Sequence, residues 1–197
     1  MKLFAERGVD GVTVREIASA AGQKNHGAVG YHFGSKAELI RALVVDGARL
    51  IDARRHAELA RIEADSGDPA LEDVVRILVY PSIGLAEPGE EECYNRFVVL
   101  FAMTHRALFM DALAGQWNTG FQRCIKLLRA RMSHLPPRLQ TERIVFIESY
   151  LGAVLAARET RLADDSRAHS IWSTTEVLDH FIHTICAIVT APAPDPS

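Results

Sequence analysis

Thr13-Val14-Arg15-Glu16-Ile17-Ala18-Ser19-Ala20-Ala21-Gly22 is the stretch from which the fold can be read. Thr13 and Glu16 have the Ser/Thr-x-x-Glu spacing in which a hydroxyl caps one free helix amide and the carboxylate reaches back to another. A helix therefore starts at Thr13. Val14, Ile17, Ala18 and Ala21 give it one apolar face, and Gly22 supplies the left-handed residue that closes a helix. Gln23 and Lys24 follow, and Asn25 suits the N-cap of a second short helix from His26 to about Phe33. Gly34 ends that helix, and Ser35 with Glu38 repeats the capping box for a long helix running to about Glu63. On the other side, Leu3, Phe4 and Val9 flank Gly8 and predict a short first helix.

Helical periodicity continues to the end of the chain and sustained strand-like alternation is absent, so the predicted fold class is all-α. The spacing predicts helices over about 70–85, 92–114, 116–134, 138–163 and 173–190, separated by the Asp65–Pro69 turn, by Gly84, Pro88 and Gly89, and by Pro136-Pro137. Three units follow: a three-helix head over 1–45, a helical body over 46–191, and an Ala/Pro tail over 192–197 expected to be disordered.

Composition bounds the class of protein. Of 197 residues, 48% are hydrophobic and 24% charged, and the net charge is −3. No run of about 20 apolar residues lacks a charge, which argues against a membrane span, and the charged start argues against a signal peptide; a soluble cytoplasmic protein is expected. The three cysteines are widely spaced, so neither a disulfide framework nor a zinc site is indicated. Residues 1–50 carry seven Lys/Arg against five Asp/Glu, whereas the rest is acidic, so a mildly basic head sits on an acidic body.

A helix-turn-helix lays its second helix in the DNA major groove while the first packs across it. Leu3-Phe4-Ala5-Glu6-Arg7-Gly8, Thr13-Val14-Arg15-Glu16-Ile17-Ala18, Ala21-Gly22 and Tyr31-His32-Phe33-Gly34-Ser35-Lys36-Ala37-Glu38-Leu39 together resemble the DNA-binding head of TetR-type transcriptional regulators. The resemblance covers residues 3 to about 45. It implies a homodimer on a palindromic double-stranded DNA operator, acting as a repressor that lets go when a small hydrophobic effector enters the body. Thr13 and Arg15 would hold phosphate at the start of the supporting helix. Gln23, Lys24, Asn25 and His26 open the recognition helix and would approach base edges, while Ala28 suits a thymine methyl. Tyr31 and His32 could donate to phosphate, although the ring of Tyr31 could equally join the head core; Phe33 is expected in the core. Lys36, in the first turn of its helix, opposes the helix dipole, and a nearby phosphate would explain it. The chain departs from the family pattern in three ways. The turn after Gly22 is one residue longer, Gly30 sits inside the recognition helix at a cost of about 1 kcal/mol, and the first helix is short. The last of these would leave the head poor in apolar contacts and mobile.

In the body, Leu151, Gly152, Leu155, Ala156, Phe181, Ile182, Ile185 and Val189 form stripes on the last two helices that could build a four-helix bundle with a second copy. Tyr94, Phe97, Phe101, His105, Trp117, Phe121 and Phe146 are candidates for lining an effector pocket between the middle helices, since they combine aromatic surface with polar handles. No nucleophile elbow, P-loop, dinucleotide fingerprint or zincin motif is present, so no enzyme and no cofactor is predicted. His180-x-x-His183 lacks a visible third metal ligand, and Cys93 with His105 lacks an orienting partner. The alternative reading is an all-helical small-molecule-binding or interaction protein whose DNA-binding head is impaired by its short first helix.

Overall fold

In the computed structural model, residues 1–23, 27–166 and 170–194 are described, and every regular element among them is helical. The head holds α1 (Lys2–Arg7), α2 (Val14–Ala20) and α3 (Ala28–Phe33), and α4 (Lys36–Ser66) leads out of it. The body follows as α5 (Leu71–Val79), α6 (Tyr94–Thr104), α7 (Arg106–Leu113), α8 (Thr119–Arg131), α9 (Pro137–Leu162) and α10 (Thr175–Thr190). Two elements end where local sequence did not place the break. The helix expected over 70–85 stops at Val79 and tightens into a 3-10 turn, Tyr80–Ser82, because Pro81 has no N–H to continue the ladder. The run 92–114 divides at His105, whose φ of −134° leaves the helix. No glycine or proline marks that point. The ring of His105 instead stacks on Phe101, with centroids 5.4 Å apart.

Two apolar clusters organise the chain. The body cluster joins the inner faces of α5, α8, α9 and α10, with Leu78, Leu128, Ile147 and Ile185 fully buried. The other cluster does not respect the expected head–body boundary: Phe4, Val9, Val12 and Val44 pack with Tyr94, Phe97 and Phe101 of α6. Phe4 is 3% exposed, with its ring centroid 6.0 Å from that of Phe97. The short first helix thus finds its apolar contacts on the body rather than within the head.

Midway along α4, Asp52, Arg54 and Arg55 clamp it to the body. Asp52 Oδ1 accepts from the Gly120 N–H (2.7 Å) and Oδ2 from the Thr119 hydroxyl (2.9 Å). Arg54 donates to the carbonyls of Ile83 (2.8 Å) and Gly84 (2.9 Å), and buried Arg55 donates to that of Leu78 (3.1 Å). At the other end of the chain, Arg143 donates to the carbonyl of Pro192 at 2.7 Å, so the start of the expected disordered tail is tied to α9; residues 195–197 lie outside the described residues. No described helix is long and apolar enough to cross a membrane.

Candidate nucleic-acid interface

The capping box forms as the spacing predicts. The Glu16 N–H donates to Thr13 Oγ1 (3.3 Å), while Glu16 Oε2 accepts from the Thr13 amide (2.8 Å) and hydroxyl (2.7 Å). Arg7 Nη1 donates to the other carboxylate oxygen at 2.7 Å. These donors, led by the Thr13 hydroxyl, hold the Glu16 carboxyl down to about 2 from its ordinary 4.5, so it stays ionised and ties α1 to α2. The Thr13 hydroxyl proton is thereby committed to Glu16, and any phosphate at this end must be met by backbone amides and by Arg15. Arg15 is exposed and makes no ion pair among the described residues. Ala18, 1% exposed, sets the inner face of α2, and Gly22, at φ +67°, makes the turn that an L side chain would strain.

Beyond the turn, Val29 (6% exposed) anchors α3 inward. Gln23 is exposed, Ala28 opens α3, and Lys24, Asn25 and His26 lie outside the described residues. Tyr31 is 86% exposed, which settles the choice left open by the sequence: its ring is not head core. It meets the neighbouring exposed His32 edge to face, with centroids 5.0 Å apart. Phe33, expected in the core, is 42% exposed, at the last position of a six-residue helix. Ser35 caps α4 by accepting the Glu38 N–H (3.1 Å), and Lys36 lies half-buried beside it. The result is a short, outward-facing α3 with aromatic and imidazole donors, preceded by a capped α2 that carries Arg15 in its first turn and followed by Lys36 in the first turn of α4. Such a surface can follow a phosphate backbone and present side chains to a groove.

The residues expected to line an effector pocket do not gather in one place. Tyr94 and Phe97 are sealed into the seam between head and body, where the Tyr94 hydroxyl donates to the Val44 carbonyl (2.8 Å) and the Phe97 and Phe101 rings stack 5.9 Å apart. Trp117 lies under the Arg49 guanidinium and Phe121 under that of Arg55, 6.0 and 5.3 Å from the ring centroids. Phe146 is 59% exposed on α9. Of these residues, Phe101 and His105 border a cleft of about 380 Å³, together with Asp10, Lys36, Ile40, Arg41 and Leu108. Asp10 and Arg41 gave no signal in the sequence, since each reads as a solvated surface charge until α7 is folded against α4. Cys93 and His105 cap opposite ends of α6, which separates the imagined nucleophile from its base. Among the described residues no group of three His, Cys, Asp or Glu could hold a metal ion.

The stripes expected to meet a second copy require correction. Leu151, Leu155, Phe181, Ile182, Ile185 and Val189 are at most 7% exposed within a single chain, because α10 turns its apolar face onto α5 and the body core. Gly152 and Ala156 are half-buried, Gly152 lying so close to α6 that an added Cβ would sit 3.1 Å from Val99. Apart from Leu162 at its end, the apolar surface left uncovered on α9 includes a different strip: Val145 (50% exposed) and Phe146, followed by exposed Ser149 and Ala153.

A helix-turn-helix head whose second helix stands free of a helical body defines a DNA-binding transcriptional regulator. Comparison with known sequences agrees. Residues 1–43 match the family described as bacterial regulatory proteins, tetR family. Over 181 residues the chain is 28% identical to the HTH-type transcriptional repressor AcnR of Corynebacterium glutamicum, an alignment covering 90% of this chain and 84% of that protein. Residues 1–43 are thus a tetR-type DNA-binding head, and over most of its length the chain is similar to a transcriptional repressor.

Proposed function

We propose that the chain is a homodimeric repressor that holds a palindromic operator and releases it when a small hydrophobic molecule binds. The observation that carries this reading is the outward-facing α3, with Tyr31 and His32 exposed, together with the cations Arg15 and Lys36, which make no ion pair among the described residues. The repressor sense is supported by the name of the C. glutamicum relative. Two linked heads are needed because one short helix and a few phosphate contacts give only modest affinity.

Anisotropy titrations with a palindrome from DNA upstream of the chain's own gene test the reading directly. Lys36→Ala should weaken that duplex and an unrelated one alike, and should reduce the slope of log affinity against log salt by about 1. An unchanged slope removes Lys36 from the phosphate contacts.

The strip Val145, Phe146, Ser149 and Ala153 recurs at helical spacing and carries no charge, which suits an isologous contact between two α9 helices. Phe146→Asp places a carboxylate at the middle of that contact. Sedimentation velocity should then find a monomer, and affinity for the palindrome should fall about a hundredfold as the second head ceases to be tethered. A dimer that survives the substitution moves the interface elsewhere.

A further inference from the structure

We infer that the cleft between head and body is a binding site for a small aromatic monocarboxylate, which engages Lys36 there and thereby opposes DNA. This rests on the ligand-released repressor reading and gives it a location and a ligand class.

The walls of the cleft come from both units. Asp10 and the first turns of α4 form one side, and the end of α6 with the start of α7 forms the other. Its volume, about 380 Å³, lies within the range of small-molecule sites and suits one or two fused rings rather than a long chain. Phe101, 4% exposed, is stacked between Phe97 and His105, so the aromatic face on the cleft side is the His105 ring, and Ile40 and Leu108 add aliphatic walls. An aromatic ring packed on such a surface gains offset-stacking energy beyond area burial alone.

Charge selects the rest of the ligand. Arg41 is tied to the Asp111 carboxylate, and His105 Nε2 lies 3.3 Å from Asp10. Lys36 has no ion pair or hydrogen bond among the described residues, although its side chain is half-buried against the cleft. A single unengaged ammonium, with Asp10 and Glu38 nearby, matches one negative charge; a dianionic phosphate would meet more repulsion than attraction. The same ammonium is the candidate phosphate partner on DNA. A carboxylate that holds it in the cleft withdraws it from the duplex, so ligand and DNA weaken each other reciprocally.

The test uses the full chain, with 2-naphthoate as probe and the neutral 2-naphthalenemethanol as control, both titrated by fluorescence anisotropy without DNA. Naphthoate should bind saturably, and the alcohol about tenfold more weakly, the worth of a charge-assisted contact. Lys36→Gln should erase that preference. Ala37→Trp, at an exposed position on the rim, should fill the cleft and abolish binding of both while the thermal melt stays cooperative. Naphthoate should also raise the apparent Kd for duplex DNA in the unmodified chain and not in Ala37→Trp. The proposal is overturned by the absence of saturable naphthoate binding up to millimolar concentration, by equal binding of acid and alcohol, or by binding that survives in folded Ala37→Trp. A chain that ignores duplex DNA without any probe refutes the regulator reading alone, because the cleft is judged on the DNA-free titrations.

Discussion

Gly47→Ala is expected to destabilise the protein by about 2 kcal/mol, read as a lower urea midpoint at unchanged m-value. In an exposed helix the same change would stabilise by about 1 kcal/mol. The sign reverses because the added Cβ would lie 2.1 to 2.5 Å from three ring atoms of Tyr94. That ring cannot retreat easily: it is 6% exposed, its hydroxyl donates to the Val44 carbonyl at 2.8 Å, and Phe97 stands against it. Overpacking of about 3 kcal/mol therefore outweighs the gain in helix propensity. A double-mutant cycle with Tyr94→Leu isolates the cause, since the pair should lose less than the sum of the singles. Purely additive losses would mean that the two side chains do not compete for space.

Glu159→Ala should cost more, about 3 kcal/mol or above, because it strands buried donors. Glu159 is 2% exposed on α9, yet it serves α6. Its carboxylate accepts from the Asn95 amide (2.9 Å), the Asn95 side-chain amide (2.8 Å) and the Arg96 amide (2.8 Å), supplying the N-terminal cap that Cys93 does not provide. Glu159→Gln keeps one acceptor oxygen and the shape, so it should lose distinctly less. Burial pushes the Glu159 carboxyl above its ordinary 4.5, against the pull of those donors. A raised folded value means that the folded state holds the proton more tightly than the unfolded chain. This group's contribution is therefore most favourable at or below pH 4.5 and declines as pH rises through the folded value. Chemical denaturation across that window should show the decline in the unmodified chain and lose it in Glu159→Gln. Equal stability of all three proteins at neutral pH would reject Glu159 as the cap of α6.

What was legible in the sequence was local. Thr13 and Glu16 are one helical turn apart, so their pairing needs nothing from the rest of the chain, and the same holds for Ser35 with Glu38 and for the turn at Gly22. The stripes on α9 and α10 were legible as buried surface, but not as buried against what. Leu155 and Phe181 show the same periodicity whether they face a neighbouring helix or another molecule, and only the position of α5 decides. Asp10 with His105, Gly47 with Tyr94, and Glu159 with Asn95 join residues 47 or more apart. No spacing rule reaches that far. The break at His105 has a similar origin, since it depends on a ring stack and on a head that packs from the side.

The unbroken α4 also sets how far a small disturbance travels. From the Asp52 clamp to its first residue it is a rigid rod of about 24 Å, so pivoting by about 5° about that fulcrum carries the recognition helix about 2 Å. Two such crowbars, related by a two-fold rotation, would change the reach between reading heads by up to about 4 Å, a sizeable error against a DNA turn of about 34 Å. In the dimer proposed above, a gentle wedge near the axle would be enough to put the pair out of step with its half-sites, without melting a single helix.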